Sequence, residues 1–156
     1  MLLLISLLCF AIQVESYGYV YHRSPALAFT AMLYSHKTIG ARAVVRYDHV
    51  VTSLGGAYRS TTGIFTAPFR GLYSFSYSLM SYPSNEVHLE MVKNGKRVFK
   101  VYFAPHTYPQ SSQTLYLILN RGDTICIENS FFERKATLYE DTGGYNTFSG
   151  TLIRII

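Results

Sequence analysis

Positively charged side chains are concentrated in one short stretch of the 156-residue chain, at Lys93, Lys96, Arg97 and Lys100. Such groups bind sulfate, phosphate or carboxylate oxygens through charge-assisted hydrogen bonds. Side chains an even number of positions apart share one face of a strand, so we expect Lys96 and Lys100 together and Arg97 on the opposite face. With Arg134 and Lys135 from a later loop, they form one candidate ligand-binding surface. The alternative is a solvated hairpin that binds nothing.

Aromatic residues supply a second candidate surface. The chain has 14 tyrosines and 10 phenylalanines but no tryptophan. A tyrosine ring can pack on apolar groups while its hydroxyl stays in water, so an exposed tyrosine can stack on a sugar. Tyr82, Tyr108 and Tyr145 lie in predicted loops and are candidates for such stacking. The alternative is that these rings only pack the loops against the domain.

The other reactive side chains do not form a catalytic pattern. The five histidines are scattered, at His22, His36, His49, His88 and His106. None belongs to a spaced metal-binding pair such as HExxH. Cys126 lies inside a strand-like segment with no histidine nearby in the sequence, and Glu86 and Glu90 are interpreted as the solvent face of a strand. The sequence therefore predicts a binding protein rather than an enzyme.

The first 16 residues are typical of a secretory signal peptide. Leu2 to Ile12 is an apolar run broken only by Ser6, which is shorter than a membrane span, and Val14-Glu15-Ser16 suits cleavage after Ser16. The alternative is an N-terminal strand or buried helix. We predict a signal peptide at 1–16, a short leader at 17–25 and one domain at 26–156. No later segment is long and apolar enough to span a membrane.

Charge and cysteine content restrict the partners and the covalent structure. The net charge of +5 favours anionic partners without choosing among them, and the alternative is that the charge only keeps the protein soluble. The expected partners are anionic glycans, microbial surface molecules or an extracellular receptor, and nucleic acid is not expected. Cys9 leaves with the predicted signal peptide, so Cys126 cannot form an intramolecular disulfide. Its thiol is either covered by a second layer or a subunit contact, or free to link two chains.

The chain must position these groups with strands rather than helices. Between Gly71 and Tyr82, large aromatic and aliphatic residues alternate with serines, which predicts a strand with one buried face. Asn94-Gly95, between two alternating segments, predicts a hairpin because this pair accepts the positive φ angles of a type I′ turn. Eight to ten such segments at regular spacing predict an all-β sandwich or jelly roll.

The aromatic spacing resembles the signature of the C1q globular-head family. The residues that carry this resemblance are Tyr58, Phe65, Gly71, Tyr73, Phe75, Tyr77, Phe148, Gly150 and Leu152. The resemblance extends over about residues 26–156. It implies a ten-stranded jelly-roll β-sandwich, related to the tumour necrosis factor fold, that assembles as a homotrimer. These nine residues would then belong to the core or to the trimer contact, and Ile153 and Ile155 to the seam between subunits.

The resemblance also bears on two acidic residues. Some relatives bind calcium near the trimer axis, which makes Asp123 and Asp141 weak candidates for calcium ligands; no other cofactor is expected. Arg121-Gly122-Asp123 spells an integrin-recognition tripeptide, but in this family a Gly-Asp turn at this place is structural. We therefore interpret Asp123 as a turn residue.

Together these observations predict a secreted, extracellular protein of innate immunity. No Gly-X-Y tract precedes the domain, so the chain resembles the short head-only members of the family. We expect a homotrimer that recognises microbial surfaces by lectin-like binding of anionic or glycan ligands. The alternatives are a structural component of extracellular matrix or biomineral, and a secreted receptor ligand.

Overall fold

The computed structural model describes residues 25–83 and 86–156, and the predicted signal peptide and nearly all of the predicted leader lie outside them. The described residues form twelve β-strands: β1 (Ala28–Met32), β2 (Lys37–Ile39), β3 (His49–Leu54), β4 (Tyr58–Arg59), β5 (Ile64–Thr66), β6 (Gly71–Met80), β7 (Val87–Lys93), β8 (Lys96–Phe103), β9 (Gln110–Leu119), β10 (Thr124–Asn129), β11 (Ala136–Leu138) and β12 (Thr147–Ile155). None of these residues belongs to a helix that could span a membrane.

Ten of these strands form two antiparallel sheets. The first sheet has the order β3-β1-β12-β6-β9, and the second has the order β4-β5-β10-β7-β8. The remaining strands, β2 and β11, pair with each other at the margin. This confirms the predicted ten-stranded jelly roll, with one small sheet added.

Strand β6 shows why the sequence adopts this architecture. Tyr73, Phe75 and Tyr77 are almost fully buried, whereas the serines between them face outwards. A strand places successive side chains on opposite faces, so the alternation buries one face against the second sheet. The Asn94-Gly95 hairpin is also confirmed, since both residues have positive φ angles, of 50° and 74°.

The interior is a stack of aromatic rings contributed by both sheets. Phe29 lies parallel to Tyr58 with ring centroids 4.7 Å apart, and Phe65 meets Phe75 edge to face at 5.0 Å. Phe148 contacts Phe29 edge to face at 5.1 Å. Such pairs add about 0.5–1.5 kcal/mol each to the free energy gained by burial.

The residues of the family signature lie in the core of the single chain or pack against it. All of them are buried except Leu152, which is half-buried and packs against the same core. Gly71 and Gly150 are part of this packing. A Cβ at Gly71 would come within 2.6 Å of the Arg154 carbonyl oxygen.

The strand directions define two ends of the sandwich. At the basal end, β6 begins at Gly71 opposite Ile155 of β12 and Leu119 of β9. At the distal end, β12 begins at Thr147 opposite Ser78, and β1 ends at Met32. Because β12 ends at the basal end, the distal end lies away from the chain's C-terminus.

Gly150 provides a test of the packing between the sheets. A Cβ at Gly150 would approach the Phe29 and Phe75 rings to 2.5 and 2.8 Å, closer than real contacts allow. We expect Gly150→Ala to reduce the free energy of unfolding by about 1–3 kcal/mol through overpacking, measured by urea denaturation. Gly40→Ala is the matched control, because its Cβ would meet only Ala43 at 3.7 Å. Equal stabilities of the two variants would contradict this account.

Candidate functional site

Four tyrosines and a histidine meet at the distal end of the sandwich. We call this group, His36, Tyr82, Tyr108, Tyr139 and Tyr145, the tyrosine cluster. Tyr139 is its centre: its ring lies 4.6 Å from Tyr108, 4.7 Å from His36, 6.0 Å from Tyr82 and 6.1 Å from Tyr145. The three tyrosines predicted from separate loops are therefore brought together by a fourth that the sequence analysis did not select.

The loop that carries the cluster is held by a buried carboxylate. Glu140 is 2% exposed and accepts hydrogen bonds from the backbone N–H groups of Gly144 (2.9 Å) and Asn146 (3.1 Å). Asn146, also buried, accepts a hydrogen bond from the Met80 N–H at 2.9 Å and donates to the Tyr139 carbonyl oxygen. These bonds attach the turn at 141–144 to the end of β6, so the rings rest on an ordered backbone.

Asp141 supplies the exposed charge beside the rings. Its Oδ2 accepts a hydrogen bond from the Tyr139 hydroxyl at 2.8 Å, which raises the pKa of that hydroxyl to about 12. The negative charge of Asp141 also raises the pKa of Tyr145. Both hydroxyls keep their protons at physiological pH, and the proton of Tyr139 is donated to Asp141.

The exposure of the rings separates the two interpretations of the tyrosines. Tyr145 is half-buried, and its ring lies so close to Gly143 that a Cβ there would overlap it. Tyr82 and Tyr108 are 37% and 49% exposed and contact each other at 6.0 Å. Tyr139 and Tyr145 thus pack the loops, whereas Tyr82 and Tyr108 also offer ring surface to solvent.

The predicted basic surface is divided between different parts of the fold. Lys96 and Arg97 adjoin the Asn94-Gly95 turn, and Lys93 donates a hydrogen bond to the Ile118 carbonyl oxygen, which places this turn at the basal end. Arg134 pairs with Glu86, just before β7 begins, at 2.9 Å. The seven residues of β7 separate the two places by roughly 20 Å. The hairpin cations Lys96 and Arg97 therefore do not form one site with Arg134. Lys100, in the middle of β8, lies nearer to Arg134, since burial and both of these charges lower the pKa of His88.

The prediction of which β8 side chains share a face is wrong, because the strand contains a β-bulge. Arg97 pairs with Val92 and Lys100 with Glu90, while Lys96 pairs with Lys93. The register shifts between Met91 and Val92, and the extra residue on β8 reverses the order of faces beyond it. Arg97 therefore shares a face with Lys100, and Lys96 lies on the opposite one.

Asp123 joins the two turns of the basal end. Its carboxylate accepts hydrogen bonds from the Asn94 side chain (2.8 Å) and the Asn120 N–H (2.9 Å), and it pairs with Lys93 at 2.9 Å. These bonds lower the pKa of Asp123 to about 2. The structural interpretation of Arg121-Gly122-Asp123 is confirmed, and Lys93 is committed to the same cluster.

Neither acidic candidate suits calcium. Calcium requires six to eight oxygen ligands, whereas the Asp123 carboxylate is occupied by N–H donors and a lysine. Asp141 is bound by the Tyr139 hydroxyl, and the neighbouring Glu140 carboxylate is directed at backbone N–H groups. Across residues 25–83 and 86–156, no three His, Cys, Asp or Glu side chains converge as metal ligands. Calcium binding stays a prediction that these two residues do not support.

Sequence reasoning missed an ionic cluster on the outer face of the second sheet. Arg42 contacts Glu90 at 2.9 Å and Glu128 at 3.0 Å, and Glu90 is almost fully buried. Burial raises the pKa of Glu128. Arg42 lies in the turn at residues 41–42, with a φ of 54°. Cys126 lies two residues before Glu128 on β10 and is buried within the chain. Burial raises the pKa of its thiol to about 11.

The first sheet carries exposed apolar residues on its outer face near the basal end. Tyr116 and Ile118 on β9 are 67% and 60% exposed, and Ile153 at the bulge of β12 is 46% exposed. Ile155 does not share this face, because the register shift in β12 pairs it with Gly71 on the core side of β6. Beyond them, the centre of the same face is polar, with hydrogen-bonded hydroxyls such as Ser76 and Thr114 at 2.8 Å. Scattered exposed apolar residues are normal, but a group on one sheet face is typical of an interaction surface.

Comparison with known proteins identifies the fold family. Residues 28–153 match the family described as C1q domain. This chain belongs to the C1q domain family. Mouse complement C1q tumor necrosis factor-related protein 6 is 34% identical over 110 residues, which cover 69% of this chain and 42% of that protein. Human complement C1q tumor necrosis factor-related protein 3 is 28% identical over 130 residues, which cover 81% of this chain and 51% of that protein. The chain thus spans about half the length of these curated relatives.

Solved structures agree with this fold. The globular domain of zebrafish complement 1qA protein superimposes with a TM-score of 0.65 at 19% identity, covering 83% of this chain and 99% of that one. Eiger, a tumour necrosis factor from S. frugiperda, superimposes with a TM-score of 0.69 at 9% identity, covering 85% of this chain and 96% of that one. At these identities the likeness concerns the fold alone.

The Asp123 cluster gives the C1q domain a pH-dependent contribution to stability. The carboxyl pKa is about 2 in the folded state, against an ordinary value of 3.8, so the stabilisation is complete above pH 4 and disappears as the pH falls to about 2. We expect Asp123→Asn to lower the free energy of unfolding by about 1 kcal/mol at pH 7, because the cluster is partly screened by solvent. The difference should shrink between pH 4 and pH 2, measured by urea denaturation. A difference in stability that does not change with pH would refute this role of Asp123. An equal loss of stability in the exposed control Glu133→Gln would refute it too.

Proposed function

We propose that this chain is a secreted C1q-domain protein that binds ligands as a homotrimer, and that its ligands are anionic or glycan molecules on microbial surfaces. The observation that carries the proposal is the tyrosine cluster, in which residues from four separate loops present partly exposed rings on an ordered backbone. Aromatic rings with convergent polar groups are the usual composition of a small ligand site.

The apolar residues of the first sheet support the homotrimer. Tyr116, Ile118 and Ile153 are exposed in the single chain, and burying them against a second copy would remove apolar surface from water. A closed ring of three copies around an axis along this sheet would direct all three distal ends the same way. Three tyrosine clusters on one side would then bind a repetitive surface with avidity.

The basal cations support a separate interaction with anions. Lys96 and Arg97 are exposed beside the hairpin turn, and neither is engaged in an ion pair among those of the described residues. They are positioned to bind sulfate or phosphate groups by charge, whereas Lys93 is held by Asp123. Binding by these two groups should therefore weaken as ionic strength rises.

The trimer can be tested with a matched pair of substitutions. Tyr116→Lys places a charge on the apolar residues of the first sheet, and Tyr102→Lys places the same charge on an exposed tyrosine, 57% exposed, of the second sheet. We expect the wild type and Tyr102→Lys to sediment as trimers and Tyr116→Lys as monomers, in the presence or absence of a chelator. A monomeric wild type would contradict the homotrimer, and a trimeric Tyr116→Lys would contradict this surface as its contact.

Ligand binding can be tested on intact bacteria and on a glycan array at physiological ionic strength. We expect the wild type to bind both, and the double variant Lys96→Ala/Arg97→Ala to elute from immobilised heparin at lower salt. The same double variant should keep its melting temperature, because both side chains are exposed. Blank results on bacteria and on the array, with the protein recovered instead from shell or matrix, would favour a structural role over microbial recognition.

A further inference from the structure

We propose that the tyrosine cluster binds an uncharged sugar residue, with the exposed ring of Tyr108 against its C–H face and Asp141 accepting hydrogen bonds from its hydroxyls. This inference rests on the proposed glycan-binding function and assigns part of it to one end of the domain. It also separates two ligand classes, because anionic groups would bind elsewhere.

The Tyr108 ring offers a surface on which a pyranose can stack. Tyr108 stands edge to face on Tyr139 at 4.6 Å and on Tyr82 at 6.0 Å, so its orientation is determined by two neighbours. It is nevertheless 49% exposed, which leaves ring surface for a ligand. A tyrosine ring combines apolar contact area with a hydroxyl donor, and it has few rotatable bonds to immobilise on binding.

A hydrogen-bond donor and an acceptor lie beside these rings. The Nδ1 atom of His36 accepts the Glu140 N–H at 2.9 Å, so the imidazole carries its proton on Nε2. His36 is exposed, and its Nε2–H is a donor for a sugar oxygen. Asp141, also exposed, is an acceptor for sugar hydroxyls, with its Oδ2 already oriented by the Tyr139 hydroxyl.

The charges around the cluster select against anionic ligands. Asp141 is negative, and the adjacent Glu140 carboxylate is also part of the loop. The nearest lysine in the sequence, Lys37, is paired with Asp48 at 2.7 Å. The hairpin cations Lys96 and Arg97 belong to the basal end. A sulfated or acidic sugar would therefore meet repulsion here that a neutral sugar does not.

The anchored loop reduces the cost of binding. Glu140 and Asn146 hold the turn between Tyr139 and Tyr145 through hydrogen bonds of about 3 Å to backbone N–H groups. A site that is ordered before the ligand arrives loses less conformational entropy on binding. Gly143 also contributes to the order of this loop, because its lack of a side chain leaves room for the Tyr145 ring.

The test uses the complete secreted protein on an array that carries neutral oligosaccharides, sulfated oligosaccharides and choline conjugates. We expect Tyr108→Ala to weaken binding of neutral sugars by at least 10-fold, with part of the affinity regained in Tyr108→Phe, which keeps the ring. Asp141→Asn should weaken neutral sugars several-fold and increase binding of sulfated ones. Tyr102→Ala, at an exposed tyrosine outside the cluster, is the matched control and should bind like the wild type. Melting temperature and sedimentation show that each variant is folded and assembled.

The outcomes separate this inference from the proposed function. If the wild type binds bacteria and neutral sugars but Tyr108→Ala and Asp141→Asn bind equally well, the sugar binds elsewhere and the inference is wrong while the function stands. If choline conjugates, or sulfated sugars alone, bind in a way that depends on Tyr108, the ligand of the tyrosine cluster is not a neutral sugar and the inference is wrong. If the wild type binds neither bacteria nor any glycan, the proposed function itself fails.

Discussion

The packing of aromatic rings around Gly150 is the contact on which the rest of this domain depends. Phe29 and Phe75 approach this glycine from neighbouring strands at distances that leave no space for a Cβ, and Phe148 lies next to them. Rings from the second sheet, such as Phe65 and Tyr58, continue the same stack. Without a disulfide among the described residues, the relative position of the two sheets rests on this packing.

At each end of the sandwich, buried or paired polar side chains hold the loops in place, and the loops at the two ends carry different functional groups. At the basal end, Asp123 connects the hairpin of β7 and β8 to the turn before β10, beside exposed cations. At the distal end, Glu140 and Asn146 hold the loop that presents tyrosines and one exposed carboxylate. A carboxylate that accepts several N–H donors organises a loop at low entropic cost, because each bond fixes backbone that is already close. The domain can thus offer a cationic surface and an aromatic surface that do not interfere with each other.

Local sequence patterns were sufficient to predict those parts of the structure that depend on neighbouring residues in the sequence. Alternation along β6 predicted its buried face, and Asn94-Gly95 predicted a hairpin, because side-chain direction in a strand and φ preference are local properties. The bulge in β8 had no such signal. It depends on how β8 pairs with β7, and a single extra residue moved Arg97 to the face of Lys100. Arg134 was grouped with the hairpin cations although the length of β7 lies between them.

The amino-acid sequence by itself determined the all-β class, the aromatic core and the family, since these follow from residue type and spacing. It also selected Tyr82, Tyr108 and Tyr145, but as three separate loop residues. Only the tertiary structure decided that they meet at Tyr139, that Lys93 and Asp123 neutralise each other, and that the basic residues are divided between distant places. The physical reason is that these contacts join residues far apart in the chain. Their distances are set by how the sheets pack and pair, and no local preference encodes them.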